Sequence, residues 1–195
     1  HLVDGGLAFI CIDWRHIREL LDAAVANKLE SINLCVWAKT NGGMGGLYRS
    51  QHELVLVLKH GTAPHVNNIE LGRFGRNRSN VWHYRGMNAF GSERNDLLRA
   101  HPTVKPVALV ADAIRDVTKR GDRVIDAFLG SGTTLIATEA TGRICHGVEI
   151  DPLYLDLAIR RWQKATGRDA VHADTGKTFG ELSERALSTE GGRDE

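Results

Sequence analysis

The sequence predicts an α/β fold in which parallel strands are joined by crossover helices. Strand-like and helix-like segments alternate regularly after Pro106, and a buried strand followed by an amphipathic helix also opens the chain. The 195 residues are 42% hydrophobic and 25% charged, which is typical of one globular domain with its own core. The formal net charge of +1 excludes a basic tail protein and an acidic disordered one.

The first 60 residues predict three strands and one helix. Short apolar runs bounded by glycine or charged residues predict the strands, which are Gly6–Asp13, Ile32–Ala38 and Glu53–Lys59. Apolar residues spaced by three and four predict a helix over His16–Lys28, with Asp13 as its N-cap. The Gly-rich loop Asn41–Gly46 separates the last two strands and is too long for a tight hairpin turn.

The segment Gly61–Ala100 has no sustained hydrophobic period. It is rich in Asn, Gly and Arg, and it holds six arginines against three acidic residues, so its local charge is +3. We therefore expect a long loop or a small subdomain here, and loops of this length inside compact domains are usually functional or disordered.

The chain after Pro106 predicts three helices that alternate with two strands. These are a helix at Val107–Lys119, a strand at Arg123–Ala127, a helix at Thr133–Thr141, a strand at Ile144–Ile150 and a helix at Pro152–Ala165. A weak strand at Ala170–His172 and a polar helix at Phe179–Leu187 follow. Alternation of this kind indicates parallel strands.

Cysteine and histidine spacing predicts neither disulfides nor a metal site. The three cysteines lie in separate apolar runs and are expected to be reduced core thiols, and the nine histidines show no metal-ligand spacing. The apolar runs are too short to cross a membrane and no signal peptide opens the chain, which predicts a cytoplasmic protein. Because His1 is not what removal of an initiator Met leaves, we expect an incomplete N-terminus.

The strongest local motif is Asp126-Ala-Phe-Leu-Gly-Ser-Gly-Thr-Thr134, at a predicted strand end and helix start. Its glycines permit a sharp turn and close approach of a ligand, and the amides of a helix start carry positive partial charge. Glu149 ends the next predicted strand, at the spacing of an acid that binds ribose hydroxyls. The motif predicts a nucleoside cofactor. The alternative is a tight turn with Asp126 as a helix cap.

These residues resemble the amino-methylating DNA methyltransferases, which transfer a methyl group from S-adenosylmethionine (SAM) to adenine N6 or cytosine N4. The glycine motif and His101-Pro-Thr-Val-Lys-Pro106 before it resemble that family's cofactor motifs. Val148-Glu-Ile-Asp-Pro-Leu-Tyr154 after it, together with Ala158, Arg160 and Arg161, resembles the family's next acidic motif and its helix. Trp37-Ala-Lys39, Tyr48-Arg-Ser and His52-Glu53 resemble its middle motifs. The resemblance implies a doubly wound Rossmann-like sheet, mostly parallel with an antiparallel edge strand.

The resemblance also implies the cofactor and its site. The cofactor is SAM without a metal, and the implied contacts are His101, Thr103, Lys105, Asp126, Phe128, Gly130, Ser131, Gly132, Thr133, Thr134, Glu149 and Asp151. Lys105 is expected to face the cofactor's carboxylate; its alternative is an exposed lysine before a helix.

The motif order matches a permuted group of this family, in which the target-recognition segment lies between the catalytic half and the cofactor half. The order makes residues 61–100 the target-recognition segment, with double-stranded DNA as the partner. The DNA contacts expected there are Arg73, Arg76, Arg78 and Arg85, and the neighbouring Phe74, Trp82, His83 and Tyr84 are candidates for base stacking. The alternative is a solvated loop.

One family feature is missing. The catalytic loop, an Asp or Ser followed by Pro-Pro-Tyr, should precede Gly6–Asp13, and the sequence has no such motif there. The nearest match, Asp151-Pro-Leu-Tyr154, is better explained by a helix N-cap and a first-turn proline. We therefore assign no catalytic residue and expect residues 1–195 to form a single methyltransferase domain that is incomplete at its N-terminus, binds cofactor and catalyses poorly.

The leading hypothesis is a site-specific DNA methyltransferase acting on adenine N6. Cytosine N4 is the alternative target, and a non-catalytic homologue that binds cofactor or DNA is the alternative function. A nicotinamide-dependent oxidoreductase is disfavoured because Leu135 replaces the third glycine of the dinucleotide motif. The sequence leaves three questions open: which DNA site is recognised, whether the protein is a homodimer, and whether it is a restriction partner, an orphan or a phage enzyme.

Overall fold

The computed structural model describes residues 2–86 and 104–190. The strands are β1 (Leu7–Ile12), β2 (Leu29–Lys39), β3 (His52–His60), β4 (Val81–Tyr84), β5 (Arg123–Asp126) and β6 (Ile144–Gly147). The helices are α1 (Ile17–Ala26), α2 (Val107–Val117), α3 (Thr133–Thr141), α4 (Pro152–Thr166) and α5 (Phe179–Glu190). A 3-10 turn, Trp14–His16, precedes α1 and is capped by the Asp13 side chain.

Strands β1 to β4 form one sheet in the order β1-β3-β2-β4. Strand β3 is antiparallel to both of its neighbours, whereas β4 runs parallel to β2. The antiparallel strand thus lies inside this sheet, and the prediction that it lies at an edge is wrong. Four consecutive residues of β3, Val55 to Leu58, are buried, and such a strand needs cover on both faces and a neighbour on each side.

Strands β5 and β6 form a parallel pair with α3 as the crossover between them. Strand β6 ends at Gly147, three residues before the predicted end. The next residues, Val148 to Ile150, leave the sheet and lie mostly exposed. The short strand therefore brings this turn close to the loop that follows β5.

Helix α2 packs on both sheets. Leu109 and Ala113 lie in one core with Trp37 and Val55 of the four-stranded sheet. The other side of α2, including Ile114, packs against α3 and β5. Helix α1 covers the opposite face of the four-stranded sheet, where its Ala24 packs in one core with Leu56 and Leu58 of β3. Helices on both faces of this mixed sheet, together with the parallel β5–β6 pair, confirm the predicted α/β class.

The segment predicted as irregular contains strand β4. Trp82 of β4 is only 6% exposed and packs in the core with Trp37, so its predicted role in base stacking is wrong. A four-residue strand carries too few alternations to be recognised in a sequence. Residues 87–100 of this segment lie outside the described residues.

The end of the chain differs slightly from expectation. The weak strand expected at Ala170–His172 is reduced to a single bridge between Val171 and Thr178, and α5 begins at Phe179 as predicted. Within residues 2–86 and 104–190, no helix combines the length and apolar character needed to span a bilayer.

Candidate functional site

The loop between β5 and α3 is a tight turn that favours glycine at two positions. Gly130 and Gly132 both have positive φ, 53° and 80°. The Gly132 amide donates to the Leu129 carbonyl at 3.0 Å, which closes the turn. A Cβ on Gly132 would lie 2.7 Å from the Ala158 Cβ of α4. The loop is therefore fixed by backbone conformation and by close packing from behind.

Asp126, the last residue of β5, shapes this loop. One carboxylate oxygen accepts from the Phe128 amide at 3.0 Å, and the other accepts from the Thr134 hydroxyl at 2.6 Å. These bonds join the end of the strand to the first turn of α3. Asp126 thus holds the shape of the loop, and its predicted contact with the cofactor stays a prediction.

Glu149 brings the turn after β6 to the same place. Its Oε2 accepts from the Gly130 amide at 2.6 Å, and its Oε1 accepts from the Ile150 and Asp151 amides, each at 3.0 Å. Asp151 then caps α4 by accepting from the Leu153 amide, which confirms it as the helix N-cap. A carboxylate and glycine amides therefore meet at the carboxyl ends of β5 and β6.

Two large apolar side chains lie on either side of this polar group in the sequence. Phe128 is 91% exposed and Ile150 is 96% exposed. Exposed apolar side chains beside a carboxylate suit a ligand with a flat apolar part and hydroxyl groups. A nucleoside has this combination.

An ion-pair network lies beside the loop. Glu53 accepts from Lys39 at 3.2 Å and from Lys105 at 3.3 Å, and the Lys105 carbonyl accepts from the Thr133 hydroxyl at 3.3 Å. Burial raises the pKa of the nearby Cys11 thiol to about 11, with smaller effects from the charges of Lys105, Glu53 and Asp126. The network ties the four-stranded sheet to the start of α3.

Sequence reasoning missed Glu53 and Lys39 as site residues. Both lie in segments that it had matched to middle motifs, Trp37-Ala-Lys39 and His52-Glu53. Charged residues at strand ends were the available signal. Their partner Lys105 is far away in the sequence, so the pairing itself was not visible.

The structure brings most of the predicted cofactor residues together. Those at or beside the loop are Lys105, Asp126, Phe128, Gly130, Ser131, Gly132, Thr133, Thr134, Glu149 and Asp151. Ser131 and Thr133 are buried and hydrogen-bonded within the protein, so their side chains support the loop. His101 and Thr103 lie outside the described residues.

The predicted DNA-contacting arginines fall into two groups. Arg78 pairs with Asp116 at 2.7 Å and lies over the Trp82 ring, and Arg76 pairs with Glu70 at 3.8 Å. Burial raises the pKa of the Asp116 carboxyl, while Arg78 beside it acts in the opposite direction. Arg73 and Arg85 are exposed. Arg78 therefore fastens its segment to α2.

Comparison with known proteins places this arrangement in a family. The sequence model named N6_N4_Mtase, described as DNA methylase, matches residues 1–160. The chain belongs to this family of DNA methylases. Two curated relatives of this chain are type II methyltransferases. M2.MboI of Moraxella bovis is 26% identical over 85% of the chain and 62% of its own length. M.ScaI of Streptomyces caespitosus is 35% identical over 48% of the chain and 31% of its own length.

The chain therefore spans less than two thirds of the length of either relative. Solved structures share its fold. The M1.HpyAVI–SAM complex superposes with a TM-score of 0.67 at 25% identity, over 82% of this chain and 75% of that one. The cytosine-N4-specific PvuII DNA methyltransferase superposes with a TM-score of 0.68 at 17% identity, over 92% and 68%. These neighbours support the Rossmann-like architecture of this chain.

Proposed function

We propose that this chain binds SAM at the loop between β5 and α3, and that the protein containing it methylates adenine N6 in double-stranded DNA. The observation that carries the proposal is the meeting of Glu149 with the Gly130 amide between exposed apolar side chains. The similarity to the M1.HpyAVI–SAM complex supports the same cofactor.

The residues present fit this cofactor. The Glu149 carboxylate can accept from ribose hydroxyls, and Phe128 and Ile150 offer apolar surface to an adenine ring. The Lys105 ammonium suits the carboxylate of the cofactor's amino-acid part. When bound, SAM supplies an electrophilic methyl group on a sulfonium.

The chain's own residues hold and orient the cofactor. Methyl transfer requires in-line alignment of the exocyclic amine with the methyl group, so a rigid loop lowers the entropic part of the barrier. Asp126 and Thr134 provide this rigidity through their 2.6 Å hydrogen bond. The target base must also leave the DNA stack to reach the methyl group.

Residues 61–100 are the proposed target-recognition segment. Its local charge of +3 suits DNA phosphates, and among its described arginines Arg73, Arg76 and Arg85 are exposed. Adenine rather than cytosine is proposed because the motifs resemble the adenine enzymes more. The 195 residues contain no Asp-Pro-Pro-Tyr motif, so no residue is proposed to accept the amine's hydrogens.

Calorimetric titration with S-adenosylhomocysteine tests the cofactor site. We expect saturable binding by the parent chain and at least tenfold weaker binding by Glu149→Gln, because a hydrogen bond to a charged group contributes about 1.5–3 kcal/mol. Glu19→Gln on the exposed face of α1 is the matched control and should bind like the parent. A folded parent chain that does not bind would contradict the proposal.

A second experiment tests the reaction. The chain is incubated with methyl-labelled SAM and duplex DNA, and the DNA is digested to nucleosides. Labelled N6-methyladenine supports the proposed target. Labelled N4-methylcytosine would contradict it and identify cytosine N4 as the target. Cofactor binding without any label in DNA would favour the non-catalytic alternative for this chain.

A further inference from the structure

Arg161 of α4 lies directly behind the cofactor loop. Its Nη1 donates to the Ser131 carbonyl and, at 2.9 Å, to the Ser131 hydroxyl. Ser131 is only 3% exposed. The guanidinium therefore contacts the middle residue of the Gly130-Ser131-Gly132 turn from the protein side.

Arg161 has no carboxylate partner in the described part of the chain. Burial lowers its pKa, and no neighbouring charge acts against that effect. Placing an unpaired cation in a partly buried position costs free energy. The hydrogen bonds to Ser131 are the contacts that offset this cost.

The contact fixes one particular peptide plane. In a trans peptide, the carbonyl of Ser131 and the N–H of Gly132 point in opposite directions. Arg161 binds this carbonyl while the Gly132 amide donates to the Leu129 carbonyl at 3.0 Å. Both ends of the plane are thus held, and the turn that presents the Gly130 amide to Glu149 cannot rotate freely.

Ala158, three residues earlier on α4, supports the same turn. It is 0% exposed, and its Cβ lies against Gly132. Residues three apart share one face of a helix. One face of α4 therefore combines a close apolar contact with a directional hydrogen-bond donor behind the loop.

We propose that Arg161 is a positioning residue for the cofactor. It acts through the Ser131 carbonyl, which sets the orientation of the Ser131–Gly132 peptide and so the place of the Gly130 amide and Glu149. This inference rests on the proposed function, since its effect is measured as cofactor affinity.

The test compares Arg161→Met, Arg161→Lys and the neighbouring control Arg160→Met. Arg160 lies over the Phe179 ring and does not contact the loop. S-adenosylhomocysteine affinity is measured by calorimetry and stability by urea unfolding. We expect Arg161→Met to bind ten- to a hundredfold more weakly while unfolding at the same or a higher urea concentration. Arg161→Lys should recover part of the affinity, and Arg160→Met should match the parent.

Equal affinity of Arg161→Met and the parent would overturn the inference. A loss of affinity that follows an equal loss of stability, without recovery in the lysine variant, would show a merely structural role and overturn it as well. If the parent chain does not bind the ligand, the proposed cofactor site fails. Hydrogen exchange at the Gly132 amide then tests separately whether Arg161 holds the Ser131–Gly132 peptide in place. Faster exchange in Arg161→Met supports that role, and unchanged exchange contradicts it.

Discussion

At the scale of single residues, Gly132 shows why the loop sequence is so restricted. Its φ of 80° is unfavourable for any residue with a side chain. A Cβ would also lie 2.7 Å from the Ala158 Cβ. Gly167, at the end of α4, has a similar φ of 68° but no atom within 4 Å of its Cβ position. A side chain at Gly167 would meet backbone strain alone, whereas one at Gly132 would meet backbone strain and steric overlap.

We expect Gly167→Ala to lower the free energy of unfolding by about 1–2 kcal/mol, the cost of a left-handed alanine. Gly132→Ala should cost about 1–3 kcal/mol more, because α4 must also move away. It should in addition weaken S-adenosylhomocysteine binding, whereas Gly167→Ala should not. Urea unfolding and calorimetry measure both effects, and equal losses of stability in the two variants would contradict the steric explanation.

The sequence could reveal some site residues and not others. Gly130, Gly132 and Glu149 were visible as candidate site residues because a glycine-rich turn followed by an acidic residue is a motif with local spacing. Arg161 was visible as part of the family resemblance, but its contact was not, because its partner is a backbone carbonyl 30 positions away in the sequence and a carbonyl has no residue identity. Contacts by which a distant helix supports a loop are therefore visible only in the structure.

At the scale of elements, α2 connects the two sheets, and its carboxyl end is capped by Asn68 from the segment between β3 and β4. The Asn68 side chain donates to the Arg115 and Thr118 carbonyls at 2.7 and 2.8 Å. The Asn68 amide donates to the Asp116 carbonyl at 2.9 Å. Carbonyls at a helix end lack partners within the helix, so these bonds satisfy groups that would otherwise depend on water.

We expect Asn68→Ala to lower the free energy of unfolding by about 1–3 kcal/mol, since two carbonyls lose their partner. Asn77→Ala, at an exposed position in the same segment, is the control and should stay within about 0.5 kcal/mol of the parent. Urea unfolding is the measurement. An Asn68→Ala variant as stable as the Asn77→Ala variant would show that water replaces the cap.

The elements themselves were predictable where their patterns were long or strongly bounded. Helix α3 has the predicted bounds, and β1 and α1 lie within theirs. Strand β4 was missed because four residues carry little pattern. The interior place of β3 was also missed, because strand order depends on pairing between distant segments, which hydrophobic period does not record.

At the scale of the whole molecule, charge is unevenly distributed. The net charge is +1, yet residues 61–100 carry +3. The arginines of this segment differ in their contacts and exposure. Arg78 is committed to Asp116 at 2.7 Å, while Arg73 is exposed on the same segment. Removing the charge of Arg73 should therefore change DNA binding, and removing the charge of Arg78 should change stability.

Binding to non-specific duplex DNA, measured by fluorescence anisotropy across salt concentrations, tests this division. Each phosphate contact contributes about −0.9 to the slope of log K against log salt. Arg73→Gln should reduce the magnitude of the slope by about 1 and leave stability unchanged. Arg78→Gln should instead lower the free energy of unfolding, because it leaves the half-buried Asp116 without its partner. Arg18→Gln on α1 removes the same charge from an exposed helix and is the control. An unchanged slope in Arg73→Gln would show that the local charge of this segment does not contact DNA.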